Sequence, residues 1–258
     1  MKTPIPMIVA TLALTGCPRP PEAPETLDEL CGFLFEHHAD ETPEYMAAGL
    51  ENLDVWLADH IEETEEGYEV TGLTQGVTDT LDGQARPVEG IFGVTVATSS
   101  AHAADTKARA LVQVDPDEFA PDNYVSYERD YVTDEGCFVD RDCLRLDTDE
   151  VFEGALALDI TSINHAYNEY LWTETAAGWV MAQRAFLVEP PEINVAWLQV
   201  DQQFYLNLIL PDGDGSVHLQ TTWMVAEQDD LPENMVMNMT IAGMVENAEN
   251  LDAWLDEN

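Results

Sequence analysis

Positive charge is scarce in this sequence. Nine Lys and Arg stand against 51 Asp and Glu over 258 residues, a net charge of −42, and the only lysines are Lys2 and Lys107. So acidic a body repels phosphate backbones and anionic lipid, which excludes nucleic-acid binding and adsorption to an acidic bilayer. Long apolar runs are also missing. The most apolar stretch, Ile193 to Leu210, is broken by Gln199, Asp201, Gln202, Gln203 and Asn207, and none spans a membrane. Catalytic signatures are absent as well: no Gly-x-Ser-x-Gly elbow, no phosphate-cradling glycine loop, no His-Glu-x-x-His helix. His165 and Glu169 share one side of an expected strand and read as a structural pair. His37 and His38 point to different sides of a helix and would not share a metal. Asp212-x-Asp214 lacks the further oxygens of a calcium loop. The expectation is a protein without catalysis, cofactor or metal.

Cysteine is scarce too, and each of the four has a distinct setting. Lys2, the short apolar stretch Ile5 to Leu14, and Leu14-Thr15-Gly16-Cys17 form a secretory signal too short to cross a bilayer. Those last four residues resemble the lipobox of bacterial lipoproteins. The resemblance implies cleavage after Gly16, lipidation of Cys17 and, with Pro18 following, an outer-membrane anchor. Residues 18–25 hold four prolines, which favour an extended spacer of roughly 25 Å at about 3.1 Å per residue. Residues 1–16 are thus expected as signal, 17–25 as lipidated cysteine and tether, and 26–258 as a single domain. Exported chains keep disulfides. Cys137 and Cys143 bracket five residues, a closure contributing about 2–3 kcal/mol; pairing Cys31 with either would close a longer loop worth about 5 kcal/mol. Cys31 falls on an apolar helical stripe and is expected as a buried free thiol, leaving Cys137–Cys143 as the bridge.

The apolar spacing sets out the rest. Thr26-Leu27-Asp28-Glu29 is a capping box ahead of a helix with Leu27, Leu30, Cys31, Leu34, Phe35 and His38 on one stripe. Thr42-Pro43-Glu44 starts a second helix with Met46, Leu50, Leu53, Leu57 and Ile61 on its apolar face. Asp82-Gly83 marks a turn, Ile91 to Thr98 reads as a strand, and Ala101 to Val112 as a short helix. Ser162–Thr173 and Trp179–Val188 flank a hairpin signal at Ala176-Ala177-Gly178. From Ala196 to Leu210 apolar residues alternate with Gln199, Asp201, Gln203, Tyr205 and Asn207, as in a sheet with one buried and one wet face. Beyond Asp212-Gly213-Asp214-Gly215 a second alternating strand follows, and the chain ends in a long amphipathic helix.

This closing order is similar to that of the START-like, helix-grip family: long strand, Gly-Asp turn, Ser216 to Trp223, then Leu231-Pro232-Glu233-Asn234 opening a long helix. The resemblance implies an α+β fold with N-terminal helices and a curved antiparallel sheet gripping the C-terminal helix. It also implies a cavity between sheet and helix for an apolar small molecule or lipid. Leu198, Val200, Phe204, Leu206, Leu208, Leu219, Trp223, Val225, Met244 and Ala248 are the expected lining. The alternative expectation is an acidic envelope protein that docks a protein partner and has no cavity.

Overall fold

The structure, a computed structural model, describes residues 22–40, 43–79, 81, 84, 86–156, 159–228 and 234–258. Cys17, residues 18–21 of the spacer, Thr42, the Asp82-Gly83 turn and Leu231 to Glu233 lie outside the described residues.

In chain order come α1 (Leu27–His37), α2 (Pro43–His60), a 3-10 turn (Ile61–Thr64), β1 (Tyr68–Val70), α3 (Gln75–Thr78) and β2 (Phe92–Ser100). Then follow α4 (Ala104–Gln113), α5 (Pro116–Phe119), β3 (Tyr124–Tyr131), α6 (Glu135–Val139), β4 (Arg145–Leu156) and β5 (Ile160–Thr175). The chain closes with β6 (Gly178–Leu187), β7 (Glu192–Ile193), β8 (Leu198–Asp212), β9 (Gly215–Gln228) and α7 (Met235–Glu257). The fold is α+β. Its curved sheet runs β1-β2-β9-β8-β6-β5-β4-β3 with every pairing antiparallel, and β7 adds to β5. The β8–β9 turn needs the left-handed backbone of Gly213 (φ 58°), which glycine adopts without a Cβ penalty.

Helices cover both faces of this sheet. On one side Leu27, Leu30, Cys31, Leu34 and Phe35 of α1 are completely buried. They pack with Met46, Leu50, Leu53 and Leu57 of α2 onto Ala182, Phe204, Leu206, Leu208, Leu219 and Trp223. The Phe35 ring stands edge-on to Trp223 at 5.4 Å and to Phe204 at 6.1 Å. The Trp223 indole donates to the Thr71 carbonyl at 2.9 Å. Gly93 lies opposite Trp223, where a Cβ would collide with the indole ring. The Thr26 side chain makes no cap; its carbonyl accepts from the Glu29 and Leu30 amides instead. Cys31 is free and buried, Thr221 donating to its sulfur, and burial pushes the thiol up to about 12. His38 is buried with Nε2 on the Ala182 carbonyl at 3.2 Å; burial, then the charge of Arg184, lowers it to about 3.

On the other side α7 packs on β2 and more lightly on β9, α4 and α5. Met244 meets Val94 and Val96, with Ile241 and Val245 alongside. Ala248 and Leu251 are buried as well, and polar contacts add to them. Gln220 donates to the Met244 carbonyl at 2.7 Å, Lys107 to Asp252 at 2.6 Å, and Asn123 to Asn247 at 3.2 Å. The disulfide joins Cys137 to Cys143, as expected, across α6 and the loop that follows it.

The expectation of a single buried face beneath the C-terminal helix is therefore corrected. Phe204, Leu206, Leu208, Leu219 and Trp223 belong to the core under α1 and α2, not to a cavity under α7. Val225 is buried opposite Gln202. A bulge between Val200 and Gln202 reverses the strand's facing, so Leu198 and Val200 join Met224 and Val236 instead. Because both faces are covered, alternation along β8 separates two coverings rather than core from water.

Candidate functional site

The centre of the α7 face is unlike its margins. Three apolar clusters surround it. One, at the α4–α6 end, holds Ala108, Phe138, Leu146, Trp172, Met181 and Ile209. The second is the seat of Met244 on β2, and the third gathers Leu198, Val200 and Met224 at the opposite end. Between them the strands present amides, phenols and one ion pair. Register places Tyr205 beside Ala185, Ala185 beside Asn168, and Asn168 beside Thr148. The neighbouring row carries Ala166 beside Glu150 and Glu150 beside Arg129. Alanine at 185 and 166 keeps the floor low where flanking strands raise long side chains.

Two hydrogen-bond systems order these groups. In the first, Asn207 Nδ2 donates to Gln183 Oε1 at 2.8 Å. Gln183 Nε2 in turn donates to Asn168 Oδ1 at 2.8 Å and to the Tyr170 hydroxyl at 3.3 Å. The chain ends at Asn168 Nδ2, buried without a partner among the described residues. In the second, Arg129 Nε contacts Glu150 Oε1 at 3.0 Å and its Nη2 donates to the Tyr127 hydroxyl at 2.9 Å. Arg129 Nη1 donates to the Val112 carbonyl, closing the end of α4. Thr148 donates to the same Glu150 oxygen at 3.0 Å. Each nitrogen of Arg129 thus has a partner, and its charge is matched by Glu150.

Tyr205 and Tyr124 differ from these. Neither hydroxyl has a partner among the described residues, and both side chains keep part of their surface accessible. Burial nevertheless pushes Tyr205 well above the ordinary phenol value, with the Tyr124 phenol adding to the shift. Burial, and then the Glu150 carboxylate, pushes Tyr124 up to about 12.

Of the expected lining residues, Met244 and Ala248 are the two that α7 buries against the sheet. A cleft of about 340 Å³ opens beside Ala248 between the 3-10 turn, β2 and α7, floored by Val96, Ala97 and Val245 and rimmed by Glu65, Glu249 and Asp252. His218 lies under the same helix with both ring nitrogens unpartnered, and burial followed by the Lys107 charge lowers it well below the ordinary imidazole value. His165 pairs with Asp149 at 2.8 Å, and Glu169 accepts from Arg184 Nε at 2.7 Å, both as structural contacts. Sequence reasoning assigned the parity of Tyr205 and Asn207 to solvent and singled out none of Tyr124, Asn168 and Gln183. One signal was available. In a chain with 51 carboxylates, a strand side bearing Gln203, Tyr205 and Asn207 is conspicuously uncharged.

No family model matches the chain, and no curated protein matches it. Solved structures of similar outline include a STAR-related lipid transfer protein fragment from Xanthomonas axonopodis: 13% identity, TM-score 0.45, covering 67% of this chain and 97% of that one. A START superfamily protein from Mycobacterium smegmatis gives 11% identity and TM-score 0.41 over 64% and 97%. Norcoclaurine synthase from Thalictrum flavum gives 11% and 0.39 over 65% and 95%. At these scores the likeness is one of outline, and neither ligand nor activity follows from it.

Proposed function

We propose that this chain is a non-catalytic binding protein for a small hydrophobic or lipid-like molecule, held between the centre of the α7 face and α7 itself. One observation carries the reading: a helix of 23 residues buries only Met244, Ala248 and Leu251, on a side of the sheet whose centre has alanine at 166 and 185 and an unpartnered Asn168 Nδ2 among the described residues. A packed interior leaves neither feature, because close packing and satisfied polar groups are the rule inside proteins. The half-exposed Val236, Met237 and Met239 give α7 an adaptable lip. On the sequence reading the protein acts outside the cytoplasm, tethered to an outer membrane through lipid on Cys17. Isothermal titration of the full chain with 1-decanol tests the binding claim, with saturation at one molecule per chain expected; heat of dilution alone contradicts it. Cys17→Ser should release the protein from membranes, whereas an unmodified N-terminus on membrane-bound protein would refute the anchor.

A second reading, docking of a protein partner, draws on Val125, Val132, Val151 and Ile163, which stand exposed on and beside β3, β4 and β5 where α1 and α2 do not reach.

A further inference from the structure

We infer that the site selects a neutral ligand by its hydroxyl or carbonyl group, held between Asn168 and Tyr205, and rejects carboxylates of the same body. This rests on the binding reading above. Asn168 and Tyr205 flank Ala185 in one cross-sheet row, so both side chains rise from the same side of the sheet with only a methyl group between them. Asn168 is only 3% exposed, and its Nδ2 is a donor with no acceptor among the described residues. Its orientation is fixed by the Gln183 amide on Oδ1 and, through Gln183, by Asn207. Tyr205 supplies a hydroxyl that both donates and accepts. A ligand hydroxyl accepts from Asn168 Nδ2 and donates to the Tyr205 oxygen; a carbonyl accepts from both. Leaving a buried donor unpaired has a cost, and the ligand relieves it.

Anions meet the opposite conditions. The cations packed on this side are already paired: Arg129 with Glu150, bonded through Nε, Nη1 and Nη2, and Lys107 with Asp252 of α7. Glu150 itself stands one strand pair away, beside Ala166. The whole chain adds a field of net −42. A carboxylate entering this site gives up its hydration without a counterion.

The test is a titration of the full chain at pH 7 with 1-decanol and with decanoate, which share one alkyl body. The expectation is at least tenfold tighter binding of the alcohol. Tyr205→Phe removes an oxygen without a hydrogen-bond partner among the described residues, so the fold is retained, and it should weaken decanol at least fivefold while leaving decanoate unchanged. Asn168→Leu should weaken decanol by a similar factor; should that variant unfold, Tyr205→Phe decides alone. Equal or tighter binding of decanoate, or wild-type affinity of Tyr205→Phe for decanol, overturns the inference and leaves the binding reading standing. If neither molecule binds saturably, both fall.

Discussion

Helix α1 puts five of its 11 residues at zero exposure against the sheet, whereas α7, twice as long, buries three. The first is held by apolar area, about 1.5–3 kcal/mol for each large side chain. The second has less buried apolar area, and polar ties add to it: one glutamine on a backbone carbonyl, one buried lysine on Asp252, one asparagine pair. Apolar jigsaw packing has one good arrangement, while a few polar ties can shift with a helix and re-form. The α1 face is therefore the keel of the molecule, and the α7 face, which carries the proposed site, is its working side on that proposal.

Substitutions should separate the two faces, the largest effect first. Phe35→Ala, which empties the space between Phe204 and Trp223, should cost about 3–5 kcal/mol, and Met244→Ala about 2 kcal/mol, the low end for a buried methionine. Urea unfolding midpoints measure both; equal losses would abolish the contrast. Next, Cys137→Ser should cost about 2–3 kcal/mol, since the bridge closes a short loop. Non-reducing peptide mapping should find Cys137 linked to Cys143 and Cys31 unmodified by alkylating reagents until the protein unfolds.

Each face also holds a buried neutral histidine, His38 against β6 and His218 under α7. Both are held below their unfolded value, so below about pH 6.5 the unfolded chain takes up protons that the native chain refuses. Stability should be steady above that pH and fall as pH drops through it, by up to about 1.4 kcal/mol per pH unit for each histidine. His38→Leu and His218→Leu should each flatten the pH dependence of unfolding by close to one proton. A variant with the wild-type slope would show that its histidine is protonated in the native state. The smallest effect is expected for Tyr205→Phe, within about 0.5 kcal/mol of wild type, since its hydroxyl has no partner among the described residues. A loss above about 1 kcal/mol by thermal unfolding would place that hydroxyl in the packed structure instead of the site.

The sequence discloses the keel more readily than the working side. The stripe through Leu27, Leu30, Cys31, Leu34, Phe35 and His38 is written at helical spacing, and all six are buried. The β5–β6 hairpin, the β8–β9 pair and α7 follow from alternation and turn residues in the same local way. What covers each side of a strand is not local. The Leu206 side meets α1, about 170 residues earlier in the chain, and no period in β8 carries that address. The bulge after Val200 likewise reverses two expected lining residues through a register shift that pattern alone does not contain. Uncharged polar residues at 183, 205 and 207 were the legible trace of a second, enclosed face; an alternation reading spends them on solvent.

Hydrogen exchange of the full chain, with and without saturating 1-decanol, tests the division between keel and working side most directly. Amides of α7, and of β8 and β5 around Tyr205 and Asn168, should exchange more slowly with the ligand present, while those of α1 and α2 stay unchanged. Protection gained in α1 and α2, with α7 unaltered, would contradict it.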